Sequence, residues 1–179
     1  MLMVSTDQTL EAALLVANTA HGPGGHRGAR TRATAPRHDH LAAPEAARTF
    51  LADHAITVPA ELPGPGHLAR LRRLRHVAEA AAAGEPTFVD ELDALLAAVP
   101  MRVDAGGTLR TTRSGWDAVV DELTLPLLEL PGIRDRLRRC GNASCGWLFV
   151  DRSRNRSRVW CDMSACGNRE KGRRHRHRR

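Results

Sequence analysis

The chain has 179 residues and a mass of 19.6 kDa, enough for one ordinary domain with a small appendage but not for two large ones. Its formal charge of +7 conceals a division: residues 134–179 carry 15 basic and 4 acidic side chains, net +11, which leaves the preceding residues at −4. No run approaches the roughly 18 uncharged apolar residues of a membrane helix, and the first 20 residues hold Asp7 and Glu11 without a basic leader, so the expected location is cytoplasmic, with no membrane partner.

Leu10, Ala13, Leu14 and Ala17 recur at helical spacing and predict a first helix over about 7–19. The Gly-, Arg- and His-rich stretch 21–40 reads as a disordered segment or functional loop, with its histidines (His21, His26, His38, His40) scattered in solvent rather than gathered around a ligand or metal. Pro44 opens a second helix, 44–55, because its fixed φ suits a first turn. After the Pro/Gly breaker at 59–66, Leu68, Leu71, Leu74, Ala78 and Ala81 predict a long helix stopped by Gly84, whose Arg70, Arg72, Arg73 and Arg75 read as a solvated face before a secondary nucleic-acid surface. A further helix, 87–99, takes Thr87 as its cap.

Residues 101–103 and 108–112, either side of Asp-Ala-Gly-Gly, predict a short β-hairpin. Ser114 is placed to cap a helix carrying Trp116, Val119, Val120 and Leu123, and Pro126 must kink or end it. Apolar residues from Leu127 to Ile133 continue towards a final helical turn near Arg139.

All four cysteines follow, as C-x4-C, fifteen residues, C-x4-C: Cys140, Cys145, Cys161 and Cys166. Two short-spaced pairs separated by a hairpin-sized span bring four thiolates to one point, the ligand set of a structural zinc ion with no open coordination position. Two disulfides are the competing arrangement, disfavoured in a reducing compartment. Residues 147–150 and 158–160 read as two strands, and Asp162 or Ser164 as the cap of a helix with Cys166 in its first turn. Trp147 and Trp160 read as covers for the zinc site before base-stacking platforms.

The run from Cys-Gly-Asn-Ala-Ser-Cys (140–145) through Leu148, Phe149, Asp151 and Ser153 to Arg158, Trp160 and Cys-Gly-Asn-Arg at 166–169, with Lys171 two residues on, resembles the CGNR zinc finger. Upstream, Asn18-Thr19, Pro44-Glu45 and Leu71-x-x-Leu74-Arg75 resemble the helical N-terminal domain of bacterial proteins proposed as stress-induced transcription regulators. The predicted fold is therefore mainly α: a helical sensing domain over 1–135 with a short β-hairpin, then a zinc-bound ββα-like module over 136–179 with a basic helix and tail.

Zinc ligation reduces the charge of 134–179 to about +9. Arg169, Arg173 and Arg176 share one helical face, and Asn168, Arg169, Lys171, Arg173, Arg174 and Arg176 are the candidate nucleic-acid contacts, with Asn168 and Arg169 suited to base edges. The same Asn168 and Arg169 fit equally well as structural groups, Arg169 tied to Asp151 or Asp162. No Ser-His-Asp arrangement, phosphate loop or carboxylate pair stands out, so the reading is a binding protein and not an enzyme, with one structural Zn2+. DNA is the expected partner, with RNA or the ribosome as the alternative; the helical domain is the place for a homodimer contact or a small-molecule effector.

Overall fold

A computed structural model describes residues 6–22 and 38–176 of the chain. Helices dominate it: α1 (Thr6–Ala17), α2 (Pro44–Asp53), α3 (Pro65–Ala83), α4 (Phe88–Ala97), α5 (Gly115–Thr124), a single turn α6 (Leu130–Ile133) and α7 (Asn168–Arg176). Three two-stranded antiparallel ribbons complete the described residues: β1 (Ala20–His21) with β2 (His38–Asp39), β3 (Met101–Val103) with β4 (Leu109–Thr111), and β5 (Leu137–Arg139) with β6 (Leu148–Val150). No helix among them is long and apolar enough to cross a membrane.

The long helix α3 is the axis of the body. Its N-terminus is set by Gly64 and Pro65, with the Gly64 amide donating to His67 Nδ1 at 2.9 Å; its end is set by Gly84 in the left-handed region, φ 79°, where glycine avoids the Cβ penalty. Its stripe of Leu68, Leu71, Leu74, Val77, Ala78 and Ala81 is buried against Leu10, Leu14 and Ala17 of α1 and Trp116, Val120 and Leu123 of α5. Each buried Leu contributes about 1.5–3 kcal/mol, so this one stripe accounts for much of the body's cohesion.

Several local expectations change. Thr87 and Ser114 precede α4 and α5 but make no side-chain capping bond. Pro126 does end α5: the chain tightens into a 3-10 turn at Leu125–Glu129, and Pro131 lies in the first turn of α6. The expected helical turn near Arg139 is instead β5, in register with β6 through Leu137↔Val150, Arg138↔Phe149 and Arg139↔Leu148. Residues 158–160 form no strand, so the partner of 148–150 comes from before the first cysteine.

The arginines of α3 divide: Arg73 is exposed on the expected solvated face, whereas the other three are tied to the body. Arg70 bonds Asp117 at 2.9 Å and the fully buried Asp121, Arg72 donates to Leu41 O, and Arg75 pairs with Asp39 at 2.7 Å. Asp121 also accepts from Thr111 Oγ1 at 2.6 Å and from Arg113 at 3.2 Å, tying the β3–β4 hairpin to the body.

Of the stretch 21–40, residues 23–37, with His26, lie outside the described residues. The remaining histidines are not scattered: His21 is buried, and its ring lies 5.2 Å from His40 and 5.9 Å from His38, centroid to centroid.

Candidate metal centre and basic helix

The β5–β6 hairpin carries the first cysteine pair at its tip: Cys140 directly follows β5, and Cys145 lies three residues before β6. Cys140 N donates to Trp147 O at 2.8 Å and Cys145 N to Asn142 O at 2.9 Å, which folds 140–147 into a tight knuckle. The buried Asn142 side chain holds that knuckle from inside, its Oδ1 accepting from Ser144 N at 3.0 Å and Ser144 Oγ at 2.8 Å.

The second pair arrives through a loop organised by Asp151. Its carboxylate accepts from Ser153 N at 2.9 Å, Ser153 Oγ at 2.6 Å and Arg158 N at 2.9 Å. The Ser153 hydroxyl bond first of all, then these backbone donors, hold its carboxyl below the usual carboxylate range. Arg158 lies over the Phe149 ring at 4.9 Å and donates to Trp160 O at 2.8 Å and to Cys161 O. Gly141 N then bonds Val159 O at 2.9 Å and brings Cys161 beside the knuckle.

Asp162 is the expected cap, its Oδ1 accepting from Ala165 N at 3.0 Å, but the turn it caps is a π-turn, Met163–Gly167. Cys166 therefore sits in that turn, and α7 starts only at Asn168. Gly167 packs closely: a Cβ there would lie 3.1 Å from Trp160 Cδ1 and would displace the exposed Met163 side chain, whose Sδ lies 2.5 Å away.

The four sulfurs converge, all within 4.8 Å of one another, with Cys145–Cys161 and Cys161–Cys166 both at 3.7 Å. Four thiolates at about 2.3 Å around a tetrahedral ion stand about 3.8 Å apart, whereas a disulfide needs about 2.05 Å; none of the four cysteines is in a disulfide. Their electrostatics are tightly linked. Left to themselves, hydrogen bonds from Cys145 and Cys161 pull Cys140 down to about 2, while the bond to Cys140 pushes Cys145 up to about 12. Cys161 moves upward through its bonds to Cys140 and Cys145, and burial raises Cys166. A divalent ion inverts this balance and ionises the whole set. The four thiolates hold one structural zinc ion, with Trp147, Phe149 and Trp160 packed against them.

The finger is not a detached appendage. Leu137 and Leu148 belong to the main hydrophobic core, and the Asn18 side chain bonds Leu148 O at 3.0 Å and Leu148 N at 2.6 Å. Gly22 N donates to Cys145 O at 2.8 Å, and a Cβ on Gly22 would lie 2.2 Å from Ser144 O. Sequence reasoning names Asn18 only within a resemblance and gives Gly22 no role; pairing over 130 residues leaves no periodic signal.

The candidate nucleic-acid residues occupy α7 and its first turn. Asn168 is exposed, and its Nδ2 donates to Ser164 O at 3.0 Å, bracing the π-turn. Arg169 is half-buried, while Lys171, Arg173, His175 and Arg176 are exposed. Arg173 is held by Glu170 through bonds of 2.9 and 2.6 Å. The Arg174 side chain and residues 177–179 lie outside the described part of the chain. Asp151 accepts from Ser153 and from the Arg158 amide.

No curated protein matches the chain. The family model of the CGNR zinc finger matches residues 136–179, the span that begins one residue before β5 and contains the four sulfurs, the Asp151 loop and α7, so it is this C-terminal module that is similar to the CGNR zinc finger.

Proposed function

We propose that the protein is a DNA-binding transcriptional regulator in which the zinc is structural and α7 contacts the duplex. The observation that carries this reading is the position of α7: it begins two residues after a zinc ligand, so the metal orients a helix whose Lys171, Arg173 and Arg176 are exposed. Cations fixed on a rigid element suit the regularly spaced phosphates of a duplex, and their binding releases counterions. Asn168 and Arg169 lie at the start of that helix, where base-edge contacts are made by recognition helices. The helical body, sharing its core with the finger, is the element through which a second copy or an effector would act. This is a binding role, with no reaction assigned.

The test is binding of zinc-loaded protein to random-sequence duplexes as salt is raised. Arg173→Ala with Arg176→Ala should lower affinity and flatten the slope of log K against log salt by about 0.9 for each phosphate that is no longer neutralised. An unchanged slope removes α7 from the interface, and stronger binding to single-stranded RNA than to any selected duplex replaces the reading with that of an RNA-associated finger.

A further inference from the structure

We propose that His21, His38 and His40 form a second metal site, an all-imidazole site for a divalent first-row transition ion of the zinc, nickel or cobalt type. The pattern is set by the backbone before any side chain is considered. His21 and His38 are direct cross-strand partners in the β1–β2 ribbon, and His40 follows His38 by two residues, so the pleat places all three on one face.

Two of the side chains already meet. His21 Nδ1 donates to Gly22 O at 2.8 Å, which leaves Nε2 as the lone-pair nitrogen of the neutral ring; that Nε2 lies 3.1 Å from His40 Nε2. A carbonyl on the remote nitrogen is the usual support of a metal-binding imidazole, fixing tautomer and ring orientation. Three imidazoles bound at about 2.0–2.1 Å have ring centroids about 5–5.5 Å apart at tetrahedral to trigonal angles. The observed separations are 5.2 Å for His21–His40, 5.9 Å for His21–His38 and 6.1 Å for His38–His40. His38 is the outlying ring and the exposed one; its nitrogens are not gathered with those of the other two as the four sulfurs are, so binding requires its side chain to turn inward from the solvent side.

The surroundings favour a soft or borderline ion over a hard one. Trp147 lies 5.9 Å from the His21 ring and Phe50 4.5 Å from His40, and these walls supply no oxygen donor. Asp39, the nearest carboxylate along the strand, is engaged by Arg75 and by Leu41 N at 2.9 Å. His54 lies beyond Phe50, with its Nδ1 donating to Phe50 O at 2.7 Å.

The experiment is a titration of Co2+ into the full chain already holding one zinc per chain, with metal content and visible absorption recorded together. The expected result is uptake of a second ion, with ligand-field absorption of nitrogen-ligated cobalt and no thiolate charge-transfer band. His38→Ala and His40→Ala should each raise the Kd for that ion at least tenfold while the zinc content stays at one. His38 is exposed, so its replacement leaves the core intact. One metal per chain throughout, or a second ion whose Kd in both variants equals that of the parent, overturns the proposal and leaves the 3.1 Å contact as a hydrogen bond between two imidazoles.

Discussion

The side chain of Asn18 stands in for a strand beside Leu148, its amide donating to the Leu148 carbonyl and its oxygen accepting from the Leu148 amide. Both partners are buried, so the pair satisfies two backbone groups that water does not reach. Asn18→Ala leaves both orphaned and should cost about 2–4 kcal/mol. A urea titration checks this: the midpoint falls while the slope with denaturant stays the same. A midpoint within error of the parent would mean that Leu148 finds other partners.

Zinc should stabilise the helical body as well as the finger, because Leu137 and Leu148 lie in the body's core and bracket the first cysteine pair. Free zinc at about 100 times its Kd adds about 2.7 kcal/mol, or about 5–11 °C in Tm for a chain of this size. Differential scanning calorimetry with and without a chelator measures it. Cys161→Ser should bind no zinc, show the chelated Tm and be insensitive to added metal. Two separate transitions, of which only one responds to zinc, would show that the shared core does not couple them.

Asp121 is fully buried and serves Arg70, Arg113 and Thr111 at once. Asp121→Ala strips both guanidinium groups of their shared carboxylate and should cost about 3–5 kcal/mol, the usual result of breaking one side of a buried ion pair. Hydrogen exchange locates the damage: amides of the β3–β4 hairpin should lose protection first, since Thr111 is its tie to α5.

Asp104 gives a pH-dependent hairpin. The amide of Thr108 above all, with that of Gly106 and the Arg110 side chain, holds its carboxyl below the ordinary range. A carboxyl lowered in the folded state contributes stability above its unfolded value of about 3.9, and that contribution is lost as pH falls through the lower folded value. Carboxyl-carbon NMR should therefore show Asp104 titrating below about 3.9. Asp104→Asn should remove the acid-dependent part of Thr108 amide protection; a midpoint at the unfolded value would contradict the bonds described.

The helices of the body are legible in the sequence because their apolar stripes are local and periodic: Leu68, Leu71 and Leu74 face inward as their spacing requires. The zinc ligands are legible for a different reason, since paired cysteines at C-x4-C write the chemistry directly into the chain. What escapes is set by distant partners. Leu137-Arg138-Arg139 has one apolar residue and no strand pattern of its own; it is extended because 148–150 pairs with it. Arg158-Val159-Trp160 looks strand-like, yet Arg158 N is taken by Asp151 and Val159 O by Gly141 N, so its backbone closes the zinc site instead of a ladder. Arg70 reads as a helix-surface charge because nothing in its own helix announces Asp121, a partner 51 residues away.

The bond between residues 18 and 148 also fixes an order of events during synthesis. α1 emerges early, but the Asn18 side chain that follows it and the Gly22 amide do not meet their partners until the first zinc knuckle has left the ribosome, 130 residues after Asn18 in the case of Leu148. Closing so long a loop is slow, and the second pair of cysteines comes later still, so all four zinc ligands are present only once the whole helical body has been synthesised.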